Sequence, residues 1–465
     1  MTRWMRIAVV LLAAAVVAGC GGGPSSSRQT SRQQPTIRGT SFPQQLEPAG
    51  QVSVYEDDYH GWPALFMKNG LVTLVAVPAI GGRIMEYKLG THPFLWVNDA
   101  EFGKTYEPPQ TEEDRQWHNY GGYKVWPAPQ SRWGGPPDPL GSRLDAGEWT
   151  SEITAHGGQI GEIELVSPPD ENVTGLQIKR RVQMFAGTTQ VVVTENIQNV
   201  SDEVITWSIW GITQVPGALS SSEKFSEEAR IYFPLNPDSR ASKGFWYLHK
   251  GPSDQFQLLD DGQLMQVSYG FETSKIGADV ADGWIAYVDD IHQYVFVQRF
   301  EERSLAEYPD QGANVEVYAS GEEFAYMEMG TLSQLYTLQP GETKSYSQQW
   351  YATSLPGPVR DTTELAAIRE PLRLESVEAG LQLTGELGIF APGTLEINLT
   401  DDAGRTVGEP VAKVTVSPAQ TVVLDQIVTA QPEASALALR LVNDRGTPLG
   451  EVASVPLATQ TAQVP

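Results

Sequence analysis

Residues 71–77 read Leu-Val-Thr-Leu-Val-Ala-Val, and similar β-branched, apolar runs recur along this chain with almost no helical periodicity between them. Residues 190–194, 204–213, 293–300, 314–319 and 343–351 repeat the pattern, with Gly, Pro, Asn and Asp between the runs. Side chains of a strand alternate between two faces, so short runs of this kind cover a sheet and supply no helical stripe. Only residues 362–369 predict a short helix. Residues 52–353 therefore read as one large antiparallel β domain built of two or more stacked sheets.

Aromatic usage marks a second unit. All twelve tryptophans lie at or before Trp350, and Phe390 is the only aromatic residue after Tyr351. Beyond residue 372, about seven short strand signals follow at close spacing, which suits a small immunoglobulin- or fibronectin-like β-sandwich. The body of the chain is also longer than one hydrophobic core usually serves, a limit of about 250–300 residues. The expected organisation is a large β domain over 51–355, a linker over 356–371 carrying the short helix, and the small sandwich over 372–465.

The first twenty residues bear on location. Arg3 and Arg6 precede an apolar run over residues 7–17, and Val17-Ala18-Gly19-Cys20 closes it. That run is too short to span a bilayer, which takes about 20 residues, but it suits the apolar region of a secretory signal. The stretch resembles a bacterial lipoprotein signal, which implies removal of residues 1–19 and lipidation of Cys20, the sole cysteine. Residues 20–50 are rich in Gly, Ser, Gln, Arg, Thr and Pro and read as a flexible tether. The expected location is the cell envelope, on its periplasmic or surface face. Gly21 is not acidic, which favours an outer membrane where the cell has two.

The formal charge is −25, and it is two charges more negative without Arg3 and Arg6. A phosphate-backbone partner needs a basic surface, so nucleic acid is excluded as a ligand. With no cysteine after Cys20 the body forms no disulfide, and its stability must come from core burial.

Five tryptophans (Trp96, Trp117, Trp126, Trp133 and Trp149) fall in one stretch. At its centre, residues 117–135 read Trp-His-Asn-Tyr-Gly-Gly-Tyr-Lys-Val-Trp-Pro-Ala-Pro-Gln-Ser-Arg-Trp-Gly-Gly. The Gly and Pro content predicts structured loops rather than long regular elements. Flat rings among amides and cations match a neutral sugar, whose C–H face stacks on a ring and whose hydroxyls need polar partners. The alternative is a small core in which the same rings pack beneath a loop.

These segments carry a resemblance. Ile80-Gly81-Gly82-Arg83-Ile84, Phe94-Leu95-Trp96-Val97-Asn98 and the 119–130 block are similar to an uncharacterised bacterial family related to aldose 1-epimerases. Residues 207–214 (Trp-Ser-Ile-Trp-Gly-Ile-Thr-Gln), 326–330 (Tyr-Met-Glu-Met-Gly) and the Leu338-Gln339-Pro340-Gly341-Glu342 turn fit the same family. The resemblance covers roughly residues 52–353 and implies a galactose-mutarotase-like β-supersandwich, with the small sandwich outside it. It also implies a histidine acid toward the ring oxygen and a glutamate base toward the anomeric hydroxyl, since ring opening needs both transfers. Glu328 is the candidate glutamate. The strand at 207–214, where the histidine is expected, contains none, and Thr213 and Gln214 are not acids near neutral pH. Of the six histidines only His118 falls within the aromatic stretch. The candidate catalytic pair is therefore Glu328 and His118. Candidate sugar contacts are Arg83, Trp96, Asn119, Lys124, Trp126, Gln130, Trp133, Trp210 and Gln214.

No histidine pair has metal-ligand spacing along the chain, and no metal or cofactor is expected. The acidic pairs Asp57-Asp58, Asp260-Asp261 and Asp289-Asp290 read as solvated groups or calcium contacts. Three functions remain: a carbohydrate-binding envelope lipoprotein, a sugar-active enzyme of the aldose 1-epimerase or glycan-cleaving kind, and a structural envelope protein whose C-terminal sandwich docks a partner. The absent strand histidine favours binding over catalysis.

Overall fold

The computed structural model describes residues 36–39, 46–47, 50–106, 116, 118–133, 143–218, 226–303 and 307–457. The leader, Cys20 and Trp117 lie outside the described residues. Among the described residues there is no α-helix and no helix long and apolar enough to cross a membrane; the regular elements are strands and five 3₁₀ turns.

Strands from Val52–Tyr59 to Thr343–Ser354 hydrogen-bond into one antiparallel network that closes on itself. The expected all-β class stands. Some strands show the two-residue period of a half-buried sheet: in Leu176–Phe185, Leu176, Ile178, Val182 and Met184 point inward while Lys179 and Arg181 are exposed. Others, such as Val72–Val77 and Trp284–Asp289, are buried throughout, because sheet or loop covers both faces. Arg180 occupies an inward position and needs a countercharge there. Glu195 stands directly opposite on the neighbouring strand, 2.6 Å away, and also accepts from the Tyr123 hydroxyl at 3.0 Å. Burial raises the Glu195 pKa despite the facing guanidinium.

After residue 360 two further sheets stack around a separate core. One orders Thr36–Gly39, Gln420–Val428, Gly380–Ile389, Ala366–Val377 and Asp361–Thr362; the other orders Ala412–Val416, Gly393–Thr400, Ala436–Val442 and Pro448–Pro456. Leu387, Val422, Leu395 and Leu439 meet between them, which makes this unit a sandwich.

Two local expectations are corrected. Residues 362–369 form no helix: Ala366–Val377 is a strand paired along Gly380–Ile389, and Ala366 and Ala367 are buried. Sheet pairing and burial outweigh a weak local helical preference. The tether is not free throughout, because Thr36–Gly39 adds an edge strand to Gln420–Val428. The small sandwich also shares a core with the large domain: Phe390 stacks on Tyr351 at 4.6 Å, amid buried Trp284, Val359 and Ala367.

Candidate functional site

The site-bearing strands are β1 (Tyr123–Ala128), β2 (Ile205–Pro216), β3 (Trp246–His249), β4 (Ser274–Ala278), β5 (Val315–Ala319) and β6 (Tyr326–Leu332). They lie side by side in the order β1–β2–β6–β5–β4–β3. Directly opposed residues of an antiparallel pair project from the same face. Register therefore assembles a row: Gln214 faces Glu328, Glu328 faces Tyr318, Tyr318 faces Lys275, and Lys275 faces His249. Trp126 opposes Trp210 on the same face.

The expectation that the aromatic block is all loop is corrected here, since Trp126 sits on β1. Pro127 is tolerated because β1 has its second neighbour only at Tyr123, so the missing N–H falls on an open edge.

This face bounds a cavity of about 730 Å³, within the usual range for small-ligand sites, lined by Lys124, Trp126, Gln130, Trp210, His249, Lys275, Tyr318, Tyr326, Glu328 and neighbours. Trp126 and Trp210 are almost wholly buried and meet edge to face at 5.9 Å. Each carries an ammonium over its ring: Lys124 Nζ lies 3.8 Å from the Trp126 centroid, and Lys275 Nζ lies 4.3 Å from that of Trp210. Gly330 on β6 leaves room for this floor, because a Cβ there would stand 2.6 Å from Trp210 Nε1.

Glu328 is half-buried and accepts from Gln214 Nε2 at 2.9 Å. Glu316, two residues before Tyr318 on β5, is fully buried with Lys275 Nζ 2.5 Å from its carboxylate. Desolvation, partly offset by Lys275, pushes the Glu316 pKa up to about 7. Burial, with Glu328 nearby, pushes the Tyr318 phenol up to about 12 and raises Tyr326 well beyond the usual phenol range. The cavity thus offers a carboxylate acceptor, an imidazole, two ammonium groups and aromatic surface.

Among the expected contacts, Glu328, Lys124, Trp126, Gln130 and Trp210 line the cavity, and Gln214 lies behind Glu328. Trp96 packs on Tyr326 at 4.8 Å and Trp133 on Trp126 at 5.2 Å, both supporting rings of the lining. Arg83 does not line it. Its guanidinium is buried against Asp145 at 2.7 Å, and Asp145 also accepts from Trp126 Nε1 at 2.8 Å. Gly81 permits that arrangement, since a Cβ there would strike the Asp145 carbonyl. Asn119 is buried in a turn, with its side-chain oxygen on the Gly121 amide. His118 stacks on Tyr106 at 3.5 Å, with Nδ1 3.8 Å from a Glu101 carboxylate oxygen, and is not among the cavity residues. His249 is the histidine that does line the cavity, and sequence reasoning passes over it, as it does Lys275, Glu316 and Tyr318. Their signal is a charged or polar group at alternate positions of apolar strands.

A family model described as a domain of unknown function, DUF4380, matches residues 64–353. No curated protein matches the chain. Among solved structures, the Slr1438 protein from Synechocystis is 12% identical with a TM-score of 0.43, over 64% of this chain and 99% of that one. A galactose mutarotase-like protein from Clostridium acetobutylicum is 12% identical with a TM-score of 0.42, over 66% and 99%. A galactose mutarotase-like protein from Lactobacillus casei is 8% identical with a TM-score of 0.40, over 62% and 99%.

Proposed function

We propose, for a chain that belongs to the DUF4380 family, that the cavity above β1–β6 binds a carbohydrate. The observation that supports this reading is the juxtaposition of Glu328, Tyr318, His249 and the Trp126–Trp210 floor on one face. Tyr318, half-buried above the tryptophan floor, supplies apolar ring surface for the C–H face of a pyranose, while Glu328 accepts a hydroxyl and Gln130 offers an amide. In this proposal the protein acts at the cell envelope, tethered through lipid on Cys20.

Titration of the full chain with a panel of neutral mono- and oligosaccharides, read by calorimetry, tests the reading. Saturable binding that weakens about tenfold in Glu328→Gln, with unchanged circular dichroism, is expected from the loss of a charge-assisted hydrogen bond. Absence of saturable binding across the panel overturns it. A Cys20→Ala chain is expected to lose membrane fractionation, and unchanged fractionation counts against the tether.

A second reading is an acid–base isomerase. It is favoured by His249 and Glu328, which line one cavity at opposite ends of the row through Tyr318 and Lys275 and so present an imidazole and a carboxylate to one ligand. Polarimetry on free aldoses distinguishes the two. Turnover lost in both His249→Ala and Glu328→Gln supports catalysis, and background rates in the native chain support binding alone.

A further inference from the structure

His92 follows the turn after the Arg83–Leu89 strand, and Asp289 and His292 flank the turn between Trp284–Asp289 and Tyr294–Phe300. Nothing in their spacing along the chain links them. In the fold, one ligand atom from each lies within 4.8 Å of the other two, a proximity that spacing along the chain does not show. Asp289 Oδ2 stands 2.6 Å from His292 Nδ1 and 3.5 Å from His92 Nε2. None of the three lines the sugar cavity.

The second observation is an orphan. His92 is 8% exposed, and its Nε2 is buried without a hydrogen-bond partner while aimed at the Asp289 carboxylate. Buried polar atoms in native folds are nearly always satisfied, by protein, water or an ion. The ring is also held in place: it stacks on Tyr294 at 4.7 Å and meets Phe94 edge-on at 5.1 Å. Asp289 is oriented independently, because its Oδ1 accepts from the His292 backbone N–H at 2.9 Å. Rigidly supported donors are what separates a metal site from a chance cluster.

We propose that His92 Nε2, His292 Nδ1 and Asp289 Oδ2 bind a divalent transition-metal ion of the zinc class. Two imidazoles and one carboxylate oxygen are a borderline donor set of the kind zinc takes. Zinc holds such atoms at about 2.0–2.1 Å, so tetrahedral ligands stand about 3.3 Å apart. The 3.5 Å His92–Asp289 separation already fits. The 2.6 Å His292–Asp289 separation opens as the ion takes the place of the proton between them, and the ring proton passes through solvent from Nδ1 to Nε2, so that His292 binds as a neutral imidazole. His292 is one-third exposed on its side chain, so water reaches the fourth position. The ion clips two turns that are distant in sequence, closing a long loop and stabilising the domain.

The test is calorimetric titration of the full chain, stripped with chelator, by Zn²⁺ alone. One equivalent bound and a raised melting temperature are expected. Asp289→Asn keeps the turn hydrogen bond yet should weaken zinc at least tenfold, as should His292→Ala, with unchanged circular dichroism in the absence of metal. Co²⁺ in place of zinc should give the visible bands of a four- or five-coordinate ion, absent in Asp289→Asn. No stoichiometric binding, or binding unchanged in both variants, overturns the proposal.

Discussion

Gln214 Nε2 donates to Glu328 Oε1 at 2.9 Å, across a directly paired position of β2 and β6. The amide is fully buried and fixes the carboxylate at the cavity wall. An amide holds a carboxylate as well as an imidazole does, but it transfers no proton near neutral pH. This pair is therefore suited to recognition.

Gln214→Leu removes that donor with little change in volume. Glu328 then loses its fixed orientation, and sugar affinity is expected to fall about tenfold, the worth of about 1.4 kcal/mol. Calorimetry against the best ligand of the panel checks this, and an unchanged affinity would show that Glu328 needs no positioning.

Gly330→Ala should disturb the floor without removing a polar group. The new methyl would stand 2.6 Å from Trp210 Nε1 and 2.9 Å from the Glu316 carbonyl oxygen. Overpacking of this sort costs about 1–3 kcal/mol. A lower melting temperature with weaker sugar binding is expected, and a shifted tryptophan emission should report displacement of the ring.

Arg83→Met separates structural from binding roles. It takes the guanidinium away from the buried Asp145 carboxylate, and breaking a buried pair from one side costs about 3–5 kcal/mol. Urea denaturation should show that loss. An affinity loss at full stability would mean that Arg83 contacts ligand after all.

Glu316 predicts a pH dependence with a definite sign. Its folded pKa is raised to about 7, chiefly by desolvation, so the folded state holds the proton more tightly than the unfolded chain. Its contribution is fully present below the ordinary glutamate pKa of about 4.5 and is lost as pH rises through about 7. Glu316→Gln cannot ionise and should flatten the stability slope between pH 4.5 and 7 relative to the native chain. Parallel slopes in the two chains would contradict the assignment.

Much of the site's neighbourhood is legible in the sequence. The 119–130 block supplies Lys124, Trp126 and Gln130, and the 207–214 and 326–330 segments supply Trp210, Gln214 and Glu328. Proximity along the chain misleads. His118 lies within the aromatic stretch yet packs on Tyr106, while His249, from a segment with no evident motif, lines the cavity. Arg83 belongs to a recognisable Gly-Gly-Arg piece, but its charge is spent on Asp145, far along the chain and invisible until folded.

By itself the sequence determined the strands, their inward and outward alternation and the rings destined for one region, because a two-residue period is a local property of the chain. Tertiary structure alone decided that Glu328 meets Gln214, that Lys275 meets Glu316, and that His92 meets Asp289 and His292. Those meetings depend on register between strands far apart in sequence, where a slip of one residue would turn every side chain to the other face. The same non-local pairing overrode the helical signal at 362–369, since burying Ala366 in the core of the small sandwich and Ala367 in the core it shares with the large domain outweighs a local preference worth about tenths of a kilocalorie per residue.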